Sequence, residues 1–259
     1  MRQMILSACS LALAFTADAQ LKEGTIVYEK KVNLHRRLKD DQMKAMIPEF
    51  RSNKQQLVFS DSISVYKAVP EDEAPDPFAG GGGPGGPGGG PGGPGGGPGG
   101  GGMRFGPMGQ NNVLYVNFTN QKIVEQTELG EKNYLIIDTL KVLPWKLTDE
   151  TKTVLKYNCK KATLATQRGQ NLVAWYTEEI TTPGGPEMFN GLPGAVLALD
   201  MNEGETIYTA LEVSKKADKK ELKEPAKGTQ TTRAEYNQKM QDMFKNRPGG
   251  PRIILSGQQ

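Results

Sequence analysis

Cysteine and histidine are nearly missing from this chain of 259 residues, which contains two cysteines and one histidine. Cys9 lies in an N-terminal segment that we expect to be removed, which leaves Cys159 without an internal disulfide partner. A structural zinc site needs about four cysteine or histidine ligands, so we predict no metal site, and we expect no cofactor. His35 is followed by two arginines and no nucleophile can be assigned to it, so we expect no catalytic role for it.

The remaining thiol, Cys159, lies in the segment Val154 to Thr166, whose alternation predicts one strand. An isolated thiol is usually buried as a small apolar group, and we favour that interpretation. The alternative is a reactive or cross-linking thiol whose pKa is lowered by the neighbouring Lys160 and Lys161.

The excess of positive over negative charge is also small. The formal net charge is +3, which is too small to indicate nucleic-acid binding. Basic residues collect only near the C terminus, where residues 215–259 carry 11 Lys and Arg against 5 Asp and Glu. This segment is able to make peripheral contact with an anionic membrane, although we favour a solvated linker and helix.

Long hydrophobic runs do not occur after the first 19 residues. Arg2, the mostly apolar stretch 4–15 and the small residues around Ala19 are typical of a signal peptide. We predict cleavage after Ala19 and a periplasmic or secreted mature protein. A lipoprotein box ending at Cys9 is the alternative, which we disfavour because only residues 4–6 precede it as an apolar core.

Glycine and proline are concentrated in one region at about 78–110. The prolines there are spaced three, four, three and four residues apart, which excludes the strict triplet of collagen. No Lys-Ser or Lys-Thr follows the glycines, as a phosphate-binding loop would require. We therefore predict a disordered insertion within one domain.

Short segments of alternating polarity occupy most of the remaining chain, separated by turns such as Asn202-Glu203-Gly204. Spacing this short favours antiparallel neighbours. We predict an early helix near 38–47, and a late helix from Thr232 because Thr232 and Glu235 form a capping box. The expected fold is α+β and mostly antiparallel, an open or half-closed β-barrel or curved sheet.

This pattern predicts three regions. Residues 1–19 form the signal peptide, 20–214 a single β-rich domain that contains the insertion, and 215–259 a basic linker with an amphipathic C-terminal helix. No oligomeric state follows from the sequence.

Four motifs follow one another in the stretch from Pro144-Trp145 to Leu199. They occupy residues 157–163, 174–180, 184–186 and 191–197, the last beginning with Gly-Leu-Pro-Gly. The series resembles the GLPGLI family of exported proteins from Gram-negative bacteria, with Ala195-Val196 in place of the name-giving Leu-Ile. The resemblance implies an exported protein of the cell envelope with no established biochemical activity.

The Gly-Leu-Pro-Gly motif itself predicts a tight turn, because Gly191 and Gly194 permit a positive φ and Pro193 fixes its own φ. We favour a structural corner that sets strand register. The alternative is a surface for a ligand or partner, with these candidate residues: Trp145, Trp175, Phe189, Gly191, Leu192, Pro193 and Gly194.

For function we expect a non-enzymatic envelope protein that binds a lipid, peptide or protein partner on a concave apolar surface. One alternative is an accessory factor for an outer-membrane transport system, binding through the terminal helix. Another is an unrecognised hydrolase that uses acidic residues alone. Glu178 and Glu179 cannot be its paired carboxylates, since adjacent residues of a strand point to opposite faces.

Overall fold

The computed structural model describes residues 20–69, 112–166 and 169–245. The predicted signal peptide and the glycine-rich insertion lie outside these ranges. The described residues form one sheet of 12 strands with two α-helices, which confirms the predicted fold class. The strands are β1 Gly24–Asn33, β2 Phe50–Phe59, β3 Ile63–Ala68, β4 Val113–Asn117, β5 Lys122–Leu129, β6 Lys132–Thr139, β7 Lys146–Val154, β8 Tyr157–Ala165, β9 Asn171–Thr177, β10 Ala195–Met201, β11 Thr206–Ser214 and β12 Thr229–Thr231; the helices are α1 Asp41–Met46 and α2 Arg233–Lys245.

The strand order is β12-β6-β5-β4-β3-β2-β1-β11-β10-β9-β8-β7. Most neighbours are hairpin partners, and β12 alone among the named strands pairs in parallel, with β6. The central strand β1 lies between β2 and β11 and so joins the two halves of the sheet. The sheet is open, with β12 and β7 at its edges.

Buried and exposed residues alternate along the strands, and the buried ones form the core of the sheet. Ile26 and Tyr28 on β1, Phe59 on β2 and Leu197 on β10 are fully buried. Each side chain of this size stabilises the fold by about 1.5–3 kcal/mol when it leaves water. The Tyr28 hydroxyl donates to the carbonyl oxygen of Val196 at 2.7 Å, so burial leaves this phenol with a hydrogen-bond partner.

One sequence interpretation, a single strand from Val154 to Thr166, is wrong at its start. Leu155 has a φ of +54° and turns the chain, so Val154 ends β7 and Tyr157 begins β8. No local pattern indicates β7, because this edge strand is exposed along most of its length and has no apolar alternation. The chain turns at residues 60–62 between the antiparallel strands β2 and β3, where the Ser60 side chain accepts from the backbone N–H of Ile63 at 3.1 Å.

Both predicted helices are present. α1 begins after Asp40, whose carboxylate accepts from the Gln42 N–H at 2.8 Å. α2 has the predicted capping box, in which Thr232 and Glu235 each accept the other's backbone N–H at 3.2 Å. None of the described helices has the length and apolar character needed to cross a bilayer.

Candidate functional site

The loop between β9 and β10, residues 178–194, lies over the central strands and is called the β9–β10 loop here. Gly184 comes so close to β3 that a Cβ atom on it would be 3.2 Å from the Ser64 Oγ. The backbone N–H of Gly191 donates to the carbonyl of Pro183 at 2.9 Å and folds the loop back on itself. The loop thereby holds Glu187 over the sheet.

Glu187 lies at the centre of a polar group of side chains. Its carboxylate is 2.5 Å from the Lys30 Nζ. Lys30 on β1 is paired with Tyr208 on β11 and with Asn53 on β2, so these three side chains share one face of the sheet. The Lys30 Nζ also lies 5.4 Å from the centroid of the Tyr208 ring, within reach of a cation–π interaction.

Two tyrosine hydroxyls are held protonated beside Glu187. Burial raises the pKa of Tyr208 far above its ordinary value, and the charge of Glu187 and a hydrogen bond with it raise this pKa further. Burial also raises the pKa of Tyr66, with smaller contributions from Glu187 and Tyr28. Both phenols are therefore available as hydrogen-bond donors at all ordinary pH values.

Two buried polar atoms of this region have no hydrogen-bond partner among the described residues, the Tyr66 hydroxyl and the Asn53 Oδ1. Tyr66 is 7% exposed, and its ring centroid is 6.3 Å from that of Tyr28. Native proteins rarely leave such groups unpaired. We call Lys30, Asn53, Tyr66, Glu187 and Tyr208 the Glu187 cluster.

The structure brings together only part of the ligand surface suggested by the sequence. Trp145, Phe189 and Leu192 belong to one hydrophobic cluster, and the Trp145 Nε1 donates to the carbonyl of Asn190 at 3.0 Å. Trp175 packs against a different cluster, where the Lys152 Nζ lies 4.2 Å from its ring centroid.

The two glycines of the turn have different roles. Gly191 has the expected positive φ, +90°, with open space where a Cβ would be. Gly194 does not have a positive φ. A Cβ atom on it would lie 2.0 Å from the carbonyl oxygen of Thr177. Gly194 is therefore needed for close packing of two backbone segments, while the adjacent Pro193 is exposed.

The other candidates from the sequence occupy separate places. The His35 Nε2 lies 2.9 Å from the Ile47 carbonyl oxygen, whereas Cys159 is fully buried in β8. Glu178 pairs with Lys160 at 2.9 Å, and Glu179 accepts the Asn158 N–H at 3.0 Å. The described residues contain no group of three or more His, Cys, Asp or Glu side chains arranged to hold a metal ion.

Cys159 is expected to be unreactive in the folded protein, because burial raises its pKa from 9.0 to about 11 and only the thiolate is nucleophilic. The measurement is maleimide labelling of a Cys9→Ser variant at neutral pH, so that Cys159 alone is counted. We expect slow labelling in native buffer and rapid labelling in denaturant. Equal rates in the two solutions would show that the thiol is accessible.

Two shallow depressions lie at the β5–β6 end of the sheet, away from the β9–β10 loop. Their volumes are about 440 and 300 Å³. Ile137 is the apolar residue in each lining, and the others are polar: Asn120, Gln121, Lys122, Asp138 and Thr139 in the first, and Gln230, Thr231, Thr232 and Glu235 in the second. The amide and charged side chains of the first lining do not suit a lipid.

The fold and the Glu187 cluster define a class, an open antiparallel sheet domain with a polar group of side chains beneath a long loop. The sequence matches the family described as "N-glycanase peptide, N-terminal domain" over residues 109–240, just over half of the chain. The chain belongs to this family.

The fold is also similar to solved structures of PNGF-II in the C2 and P21 space groups. In both comparisons the TM-score is 0.55 and the sequence identity 16%, with 86% of this chain covered. The match covers 33% and 34% of those chains, so this chain spans about a third of their length. No curated protein matches it.

These findings correct two expectations. The assignment to the GLPGLI family is wrong, because the family match that includes the Gly-Leu-Pro-Gly turn is to the N-glycanase domain. That tetrapeptide meets a local packing requirement at Gly194, and so short a motif does not define a family. The interpretation as a binding protein for a lipid, peptide or protein partner on a concave apolar surface is also wrong; the hydrolase alternative agrees better with the family.

Proposed function

We propose that this chain acts in the hydrolytic removal of N-linked glycans from glycoproteins, and that its described part engages the glycan of the substrate. The observation that carries the proposal is the match to the N-glycanase N-terminal domain over residues 109–240. This range begins just before β4 and runs into α2. It therefore includes the β9–β10 loop and Glu187.

The arrangement of the carboxylates supports a role in substrate binding for this part of the chain. A carboxylate that acts as a general acid or base has to reach the reacting atoms and exchange a proton with them. Here Glu187 is paired with Lys30, Glu178 with Lys160 and Glu125 with Arg233. Each of these carboxylates is held by a cation, which favours its charged form and leaves it less free to exchange a proton with a reacting substrate.

We expect the full chain to bind a glycoprotein that carries one N-linked glycan and not the same polypeptide without the glycan. Immobilised protein and surface plasmon resonance with the two matched forms measure this difference. The shared polypeptide controls for protein–protein contact, so equal binding of the two forms would overturn the proposal.

The expectation that the chain is not itself an enzyme stays a prediction, and the same samples test it. Mass spectrometry of the glycoprotein after incubation with the full chain reports any loss of the glycan. A time-dependent loss would show that this chain also carries the hydrolytic groups.

A further inference from the structure

The unpaired hydroxyl of Tyr66 is the most unusual feature of the described core. Tyr66 is buried at its ring and at its oxygen, and no described residue accepts from or donates to that oxygen. Its neighbour Tyr28 has a similar environment, yet the Tyr28 hydroxyl reaches the Val196 carbonyl. A buried polar group without a partner is costly to the fold, so we expect a water molecule or a ligand to pair with it.

A second unpaired atom points to the same region. The Asn53 Oδ1 is buried without a described partner, and Asn53 lies directly across from Lys30. Lys30 in turn contacts Glu187. An acceptor, an ammonium group, a carboxylate and a phenol thus lie around one part of the sheet.

The Lys30–Glu187 ion pair is the part of the Glu187 cluster that reaches solvent. The two side chains are 25% and 39% exposed, whereas Tyr66 and Tyr208 are buried. The charges of Lys30 and Glu187 offset one another, so this part of the surface does not favour an ionic ligand. A ligand that binds here has to offer both hydrogen-bond donors and acceptors.

We propose that the Glu187 cluster is a carbohydrate site that binds one sugar residue of an N-linked glycan through its hydroxyl groups. A sugar hydroxyl is both a donor and an acceptor, so it is able to donate to Glu187 or to the Asn53 Oδ1 while accepting from Lys30 or Tyr66. The ligand class rests on the proposed function; the location rests on the two unpaired atoms and the ion pair.

The test is calorimetric titration of the full chain with a disaccharide of two β1,4-linked N-acetylglucosamine units. Tyr66→Phe removes one neutral hydrogen bond, and we expect Kd to rise about fivefold. Glu187→Gln removes a charge-assisted bond, and we expect a rise of about 10- to 100-fold.

Glu178→Gln is the matched control, since Glu178 also pairs with a lysine at the surface and lies outside the cluster. Its Kd should equal that of the unchanged protein. Thermal denaturation of each variant confirms folding, and Tyr66→Phe is expected to fold normally because the hydroxyl it lacks has no partner to lose.

Two results would overturn the site. One is the absence of disaccharide binding by the unchanged chain at millimolar concentration, and the other is binding by both cluster variants as tight as that of Glu178→Gln. If the glycosylated protein is still bound selectively in either case, the proposed function stands and only its location is wrong. If that selectivity is also lost, both proposals fail.

Discussion

Replacing Gly194 by alanine is expected to destabilise the protein by about 3 kcal/mol, near the upper end of the usual cost of overpacking. The new Cβ would lie 2.0 Å from the Thr177 carbonyl oxygen and 2.7 Å from the Thr177 carbonyl carbon. Both atoms belong to the backbone at the end of β9, so no side-chain rotation relieves the contact. Urea denaturation monitored by tryptophan fluorescence measures the loss.

The second glycine of the same turn is the control. Gly191 has a φ of +90° and nothing within 4 Å of its Cβ position, so Gly191→Ala introduces backbone strain without a clash. Its expected cost is about 1–2 kcal/mol. A loss for Gly194→Ala no greater than that for Gly191→Ala would contradict the close approach of Gly194 to β9.

Leu192→Ala is expected to destabilise the fold by about 2–5 kcal/mol, the usual range when a buried leucine is truncated. Leu192 is 2% exposed and packs in the cluster that contains Tyr176 and Tyr208. Denaturation of this variant and of Pro193→Ala gives a matched pair, because Pro193 is its exposed neighbour. Similar small losses for the two variants would show that Leu192 is not part of the core.

The requirements at Gly191, Leu192 and Gly194 explain why the Gly-Leu-Pro-Gly motif stands out in the sequence although it does not identify a family. The four residues meet local demands: a positive φ at Gly191, burial at Leu192 and a close backbone approach at Gly194. Such demands arise in any tight corner beneath a loop. They carry little information about ancestry or ligand.

The fold class was accessible from the sequence because strand alternation and turn residues are local signals. The hairpin at residues 60–62 and the capping box of α2 are of this kind. Strand β7 was missed because an exposed edge strand has no apolar face to reveal it. The pairing of β1 with β11 is not local either, since it joins residues nearly 200 positions apart, such as Thr25 and Ser214.

The Glu187 cluster was beyond the reach of sequence analysis. Lys30 and Glu187 are separated by 157 positions, and neither belongs to a recognisable motif. The unpaired state of the Tyr66 hydroxyl depends on the packing of several strands and a loop, which no local pattern encodes. Only the contacts of the folded chain bring these residues together.

Export stays a prediction, because residues 1–19 lie outside the described ranges. The same holds for membrane contact by the basic segment 215–259 and for the absence of nucleic-acid binding. The predicted disorder of the insertion at 78–110 also falls outside the described residues. The strands on either side of it, β3 and β4, are antiparallel neighbours.

The most direct measurement is an NMR titration of the ¹⁵N-labelled full chain with the β1,4-linked N-acetylglucosamine disaccharide. Sugar recognition beneath the β9–β10 loop predicts saturable shifts that are largest at the amides of Lys30, Asn53 and Glu187. Shifts confined to the β5–β6 end of the sheet, or no saturable shift at all, would contradict it.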